Sequence, residues 1–585
     1  MNLILRNLMV LLVLGLLAVF TFPLRAEDKP PSEKDKIEQL IQRVEHLQDA
    51  KFDRNGAEYD ANTAGKFLKG KWDSNTAKIK TAGDFIAIAA TKSSTSGKPY
   101  LIRYADGKEI PSAEFLTAEL KAIEAPRDDT AAKQQPNIIL IITDDQGYGD
   151  LACHGNPSVK TPNLDALAAE SVRLTNFHVS PTCAPTRCAL MTGRHEFRSG
   201  VTHTINERER MALTATTFPQ LLQKAGYATG IFGKWHLGDE APYQPERRGF
   251  SEVFIHGAGG IGQTYPGSCG DAPKNSYFHP AVLHNGTFVK TQKYCTDVFF
   301  DQALTWIEGR QGQGPFYAHI ATNAPHEPLD CPPEYEARYA HLNDPKRAKF
   351  YGMITNIDDN VGKLRAKMKA LNIERDTLLI FMTDNGGTGG VQEFNAGMRG
   401  MKVTPWEGGT RVPCFLRWGD KFPVGERTQL TAHIDMFRTL TGLAGAAIPP
   451  EVSAKVEGRD LLPVLQSPDA PWENRILYTH MGRWEKGQSA AAKHSQCSLR
   501  DERFTLVSAG KNPSWQLFEL KSDPGQMIDV KEKFPEDFSR LEKAYDAWWE
   551  SLQPDFLINE TTTPPAENTF HTLYWKQFPD ERPKK

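Results

Sequence analysis

The sequence predicts an α/β fold: a large, mostly parallel sheet flanked by helices, preceded by a separate small α+β domain. Two observations carry the sheet. Asn137-Ile-Ile-Leu-Ile-Ile-Thr143 and Thr377-Leu-Leu-Ile-Phe-Met-Thr383 are continuous apolar runs, as expected of strands buried on both faces. Tyr227 to Gly233 and Phe316 to Thr322 read as further strands, and all four runs lead into polar clusters. A third observation is scale: 585 residues, 39 % hydrophobic and 24 % charged, suffice for two or three globular domains.

Taken in order, Met1 to Ala26 has an early arginine, an apolar run from Leu8 to Phe22 and the small-residue ending Leu24-Arg25-Ala26, the layout of a cleavable secretory signal. The apolar run is short for a membrane span, and no cysteine follows it to carry a lipid. An exported, periplasmic or secreted protein with no membrane attachment after cleavage is expected. Losing Arg6 and Arg25 takes the formal charge from -3 to -5, which argues against a nucleic-acid partner. Residues 27–125 read as the small domain. Ile37, Leu40, Ile41, Val44 and Leu47 give Lys34 to Gln48 a helical period; Phe85 to Ala90 and Tyr100 to Tyr104 read as strands, Asp106-Gly107 as a turn and Phe115 to Ile123 as a closing helix. Through Asn55-Gly-Ala-Glu-Tyr59 and Ser96-Gly-Lys-Pro-Tyr-Leu-Ile-Arg103 this part resembles a domain of unknown function from exported bacterial proteins. Residues 126–135, polar and bounded by prolines, form a linker.

Chemistry concentrates beyond the linker. Asp144-Asp145 follows the first buried run and Asp384-Asn385 the second, which places oxygen ligands where open α/β sheets bind them and suits a hard cation. Either pair alone would equally serve as a cap or loop start. In Cys183-Ala-Pro-Thr-Arg187, Pro185 suits a first helical turn, so Cys183 sits at a helix N-terminus with Arg187 one turn on, on the same face. Lys234 and His236, two apart on an extended segment, face the same way. Asn323-Ala-Pro-His326 and Gly400-Met-Lys402 add a histidine and a lysine.

The order of these clusters resembles the type I sulfatases. The Cys183 pentad with Thr192-Gly193-Arg194 resembles the family signature, and Gly233-Lys-Trp-His236 and Gly400 to Pro413 resemble two others. The resemblance runs from about Pro136 to Asp529. It implies an alkaline-phosphatase-like fold with a smaller C-terminal antiparallel-sheet subdomain, so that 136–470 is the catalytic domain and 471–585 the subdomain. It implies a sulfuric ester hydrolase in which a formylglycine-generating enzyme oxidises Cys183. One Ca2+, or Mg2+, would be held by Asp144, Asp145, Asp384, Asn385 and the modified Cys183. Calcium is preferred because several protein oxygens with little room for water suit the larger ion. Arg187 and Lys234 would stabilise the aldehyde hydrate and the sulfate, His236 would act as base, and His326 with Lys402 would serve the leaving alcohol. Glu407 and Arg411 would hold their loop.

Among the remaining residues, His433 reads as a helix-start residue; His195, His203 and His256 are candidates for the pocket mouth, and Lys493, His494 and Arg500 for contact with substrate. Trp472, Trp515 and Trp548 are expected in a core. Of eight cysteines, Cys269 and Cys295 are the most plausible disulfide pair, flanking a Gly/Pro-rich insertion. The substrate implied by the resemblance is a sulfate ester, an aryl sulfate or a sulfated carbohydrate, with a small alkyl sulfate also compatible. Two alternatives stand beside this reading: a phosphonate or phosphodiester hydrolase of the same superfamily, and a non-catalytic sulfated-glycan binding protein.

Overall fold

The computed structural model describes residues 32–583, apart from 46, 48–49, 94, 105–108, 125–134, 511–513, 557, 561–562 and 564. The signal segment, most of the linker and the Asp106-Gly107 turn lie outside the described residues. The chain divides into two units, 1–129 and 130–585.

In the first unit, Ala57–Tyr59, Ala50–Arg54, Leu101–Tyr104 and Glu109–Pro111 form an antiparallel sheet in that order. The amphipathic helix is Glu33–Glu45, and it buries Ile37, Leu40, Ile41 and Val44 as its period dictates. The closing helix is Ser112–Glu124. Phe85 to Ala90 is not a strand. A capping box, with Asp84 N donating to Thr81 Oγ1 at 3.0 Å and Thr81 N to Asp84 Oδ2 at 2.9 Å, starts a helix at Ala82 that widens over Ile86–Ala90. Phe85, Ile86, Ala89 and Ala90 are buried while Ile88 is exposed, a helical rather than an alternating pattern.

The second unit is organised on a ten-stranded sheet. Five central strands are parallel, in the order Glu252–His256, β2 (Ala228–Lys234), β3 (Phe316–Ala321), β1 (Asn137–Thr143) and β4 (Thr377–Thr383). Antiparallel strands extend both edges. Along β1, Ile138, Leu140 and Ile142 enter one core while Ile139 and Ile141 enter the other; β4 splits likewise, with Leu378, Ile380 and Met382 opposite Leu379 and Phe381. Both faces are covered, so neither strand has a polar side, and the unbroken apolar runs follow. β1 and β4 are neighbours in register, with Thr143 opposite Thr383, which sets their Asp-bearing ends side by side.

A second antiparallel sheet, Leu477–His480, Cys497–Arg500, Phe504–Ser508 and Trp515–Glu519, packs with the helix Pro535–Ser551 around Trp515, Trp548 and Trp549. Trp472 packs against the main core. Cys269 and Cys295 are not bonded to each other. Cys269 Sγ accepts from Gly238 N at 3.2 Å, and Cys295 opens the helix Cys295–Gly309 inside the core on one sheet face.

Candidate active site

The site lies at the C-terminal ends of the parallel strands, where chain reversals leave a crevice. Asp145, the second residue after β1, adopts φ 68°, and its N–H donates to Asp384 Oδ1 at 3.3 Å, next to the end of β4. The two loops touch through glycines. A Cβ on Gly147 would stand 2.7 Å from Gly387 N; the second loop in turn meets the short helix Glu407–Thr410, where a Cβ on Gly386 would stand 1.9 Å from Gly408 O, so no larger residue fits at either place. Helix α1 (Cys183–Thr192) is buried along its whole length and ends at Gly193, φ 68°, whose Cβ would meet Phe437. Cys183 is at its first turn, as expected.

Cations and carboxylates interlock here. Arg187 donates to Asp384 Oδ2 from Nε at 3.1 Å and Nη2 at 2.8 Å, and from Nη1 to Lys234 O at 3.2 Å. Lys234 Nζ bonds Asp144 Oδ2, with neither side chain exposed. Lys402 Nζ is 2.6 Å from Asp145 Oδ1 and 2.9 Å from Oδ2, and Asn385 Nδ2 donates to Asp145 Oδ1 at 2.9 Å. Burial raises the Asp144 carboxyl to about 6 against the pull of Lys234, and raises Asp384 to about 6 with help from Asp144. Burial acts on Asp145 in the same sense, but Lys402 and His326 overcome it and hold that carboxyl well below its usual range. At Cys183, burial alone would raise the thiol; Lys234 and Lys402 bring it below its ordinary value.

The two histidines have defined tautomers because each bonds a carbonyl, which can only accept. His326 Nδ1 donates to Glu327 O at 2.7 Å, leaving Nε2 free, 3.9 Å from Asp145 Oδ2. His236 Nε2 donates to Thr204 O at 2.9 Å, leaving Nδ1 as a buried acceptor with no protein partner. Burial, then Lys234, keep His236 well below its ordinary pKa and therefore neutral. His236 is not on an extended segment: β2 stops at Lys234 and His236 takes φ 60°.

The residues present fit a hard cation. Asp144 Oδ1 and Asn385 Oδ1 are buried with no hydrogen-bond partner, which is costly unless something electropositive faces them. Ligand atoms of Asp144, Cys183 and Asp384 lie within 4.8 Å of one another, as do those of Asp144, Asp145 and His326. An ion beside so many oxygens would also ease the mutual repulsion of the carboxylates.

Of the other expectations, those for His433 and Arg411 agree with the structure, and those for His256, Lys493, His494 and Arg500 are corrected. His256 is fully buried and stacks on Phe299, so it does not line a mouth. His195 lines a cavity of about 430 Å³ with Ser180, Glu196, His433 and Trp548. His433, two residues before the helix Asp435–Leu443, bonds Ser180 and His178. Lys493 and His494 are engaged by Asp546, and Arg500 by Glu407, so none of the three is turned to a substrate. Arg411 holds its loop by bonding Thr175 O and lying over Tyr148. The residue of the C-terminal part that does approach the site is Arg483, which bonds Thr204 beside His236. It stands in a loop with no motif around it, and only its Gly482-Arg483-Trp484 setting hints at a special backbone.

Comparison with known proteins agrees with this geometry. A sulfatase family model matches residues 136–446, an N-sulphoglucosamine sulphohydrolase C-terminal model matches 402–544, and a family of unknown function, DUF5329, matches 31–124. The chain is 29 % identical over 480 residues to arylsulfatase J of Mus musculus, covering 73 % of this chain and 78 % of that protein. It is 33 % identical over 368 residues to N-acetylgalactosamine-6-sulfatase of Canis lupus familiaris, covering 57 % and 66 %. The crystal structure of Ps i-CgsB in complex with k-i-k-neocarrahexaose superposes with a TM-score of 0.65 at 27 % identity, covering 77 % of this chain and 98 % of that one. The expected alkaline-phosphatase-like architecture is the one seen. With the sulfatase model spanning more than half of its length, the chain belongs to the sulfatase family, and its chemistry is the hydrolysis of sulfate esters.

Proposed function

We propose that this enzyme removes sulfate from sulfated glycans, that it does so through formylglycine formed from Cys183, and that it works as an exported protein. The observation that carries the reading is the setting of Cys183: at the start of a buried helix, under the influence of Lys234 and Lys402 and with Asp144 and Asp384 beside it. The glycan preference draws on relatives: one is named for N-acetylgalactosamine 6-sulfate, and a similar structure holds neocarrahexaose. Export draws on the layout of residues 1–26, and catalysis is assigned to residues 136–470 with 471–585 as the subdomain.

A serine in place of Cys183 would attack a sulfate ester but have no internal route to release it. The aldehyde hydrate supplies two hydroxyls on one carbon, one to attack sulfur and one whose deprotonation expels sulfate. Asp144, Asp145, Asp384, Asn385 and residue 183 would hold the cation, calcium in this reading, which when bound would supply Lewis-acid stabilisation of negative charge on oxygen. His236 Nδ1, neutral and unpartnered, takes the proton from the second hydroxyl. His326 has its Nε2 beside Asp145, on the leaving-group side; it can give a proton to the departing alcohol only when it carries one on Nε2 as well as on Nδ1, a form Asp145 favours, with Lys402 holding the ester oxygens. Arg187 and Lys234, fixed by Asp384 and Asp144, present positive charge that needs no rearrangement during reaction.

The test is turnover by protein made in a host that converts the cysteine, with N-acetylgalactosamine 6-sulfate, a sulfated carrageenan oligosaccharide, 4-nitrophenyl sulfate and a phenyl phosphonate ester as substrates. Sulfate-ester hydrolysis that disappears in Cys183→Ala is expected, with glycan sulfates favoured over the aryl sulfate. Faster turnover of the phosphonate would move the assignment to that class, and tight glycan binding without turnover would make it a binding protein.

A further inference from the structure

We propose that Arg483 reads a second anionic group, a carboxylate or another sulfate, on the sugar beside the scissile ester, so that polyanionic glycans are preferred to singly charged sulfate esters. The inference rests on the glycan-sulfatase reading above and names its substrate class more closely.

Arg483 is brought to the site by a constrained turn. It follows the strand Leu477–His480, in a stretch where Gly482 and Arg483 both take positive φ, 67° and 65°. A Cβ on Gly482 would lie 2.1 Å from Thr202 O, and Arg483 N donates to that same carbonyl at 2.9 Å. A non-glycine residue in this conformation is held there at a cost, and such strain gathers at functional positions. The side chain then meets the catalytic apparatus through one residue. Arg483 Nη2 donates to Thr204 Oγ1 at 3.0 Å, while Thr204 O takes the hydrogen of His236 at 2.9 Å.

The guanidinium has unused capacity. Its Nε is buried with no partner, and among the described residues no carboxylate is within ion-pairing distance of it. Arg483 is itself half-buried; fully buried arginines are engaged, Arg187 by Asp384, Arg475 by Asp435, Arg500 by Glu407, and Arg208, Arg248 and Arg427 by main-chain carbonyls, even where Nε is unpartnered as in Arg248 and Arg500. His203, held down to about 3 by burial and the neighbouring Arg208 and Arg483, is neutral and neither offsets nor adds to the charge of the guanidinium. Burial opposes the charge of Arg483, while the charges of Cys183 and Asp145 reach it and support it, which places it within electrostatic range of the reacting centre. Arginine remains ionised even so, and its planar fork matches carboxylate and sulfate oxygens. Lys234, Lys402 and Arg187 already serve the scissile sulfate, each braced on a carboxylate. The unbraced cation on the Thr202–Ile205 side is therefore left for a charge that arrives with the rest of the substrate.

Three disaccharides test this. Each carries one sulfate on the reacting sugar; the neighbouring sugar is neutral, a uronate or a second sulfated sugar. Dissociation constants are measured by calorimetry on the full chain with Cys183→Ala, and kcat/KM on the converted enzyme. At least one charged neighbour should tighten binding by about tenfold to a hundredfold over the neutral one, and Arg483→Gln should bring that ratio to about one, with Arg483→Lys recovering part of it. Which arm gains separates carboxylate from sulfate. Turnover with no preference for a charged neighbour, or an Arg483→Gln loss equal on all three probes, overturns the role of Arg483 alone. Charge preference in binding with no turnover of any probe upholds Arg483 and overturns the glycan-sulfatase reading. Neither turnover nor charge preference overturns both. A melting temperature of Arg483→Gln close to that of the parent excludes collapse of the loop as the cause.

Discussion

Replacing Arg187 by lysine keeps the charge and removes the geometry. Arg187 and Asp384 are both essentially sealed from solvent, at 2 % and 0 % exposure, so bulk water replaces nothing that is lost. The guanidinium makes three hydrogen bonds at once, two to Asp384 Oδ2 and one to Lys234 O. A lysine ammonium at the end of a flexible stem can keep one of them. Two lost bonds to or from charged groups, each worth about 1.5 kcal/mol at the low end, put the loss near 3 kcal/mol. Because Asp384 is also a proposed cation ligand, its reorientation should lower kcat by about a hundredfold or more. Urea unfolding followed by tryptophan fluorescence, at fixed calcium, measures the first quantity, and steady-state sulfate-ester hydrolysis the second. A stability loss under about 1 kcal/mol together with a kcat within tenfold of the parent would refute the reasoning, since the ion pair would then be incidental.

Gly386→Ala should inactivate the enzyme, because its methyl would meet Gly408 O at 1.9 Å and drive the Asp384-Asn385 loop away from Asp145; full activity would contradict the close approach. Chelation should abolish turnover and lower the melting temperature, by about 4 kcal/mol of lost stability where calcium had been a thousandfold above its dissociation constant, with both restored on adding Ca2+; an unchanged protein would count against the orphaned Asp144 and Asn385 oxygens as ligands. Glu196 is buried with both carboxyl oxygens unpartnered, and burial raises it from 4.5 to about 8. The folded state therefore holds a proton that the unfolded state gives up above pH 4.5. This stabilisation is complete below that pH and is lost progressively up to about pH 8, by an amount on the order of 5 kcal/mol at most. Glu196→Gln has no such loss, so its melting temperature should gain on the parent between pH 5 and pH 8, and a constant difference would contradict the burial argument.

The sequence disclosed most where burial and periodicity left a single option. Asn137–Thr143 and Thr377–Thr383 are strands with the predicted ends, because a parallel strand covered on both faces leaves an unbroken apolar run that stops where the polar site begins. Cys183 at a helix start with Arg187 one turn on follows from Pro185 alone. Phe85 to Ala90 misled because an Ile-Ala alternation imitates a strand, while the deciding signal, Thr81 with Asp84, lies outside the run. Lys234 and His236 belong to one site although the extended segment ends between them, and a left-handed residue after a strand leaves no periodic mark. Lys493, His494 and Arg500 were candidates by charge, but which cations have a carboxylate in reach depends on contacts 52 to 93 residues away. Arg483 was invisible for the same reason: its distinguishing property is the partner it does not have.

The most direct test of the central claim is the mass of the peptide spanning Cys183, taken from the same preparation in which sulfate-ester hydrolysis is measured. Conversion of the thiol to an aldehyde lowers the mass by about 18 Da, and the specific activity of different preparations should rise in proportion to the converted fraction. A preparation that hydrolyses sulfate esters at full rate while Cys183 remains an unmodified cysteine would contradict the account.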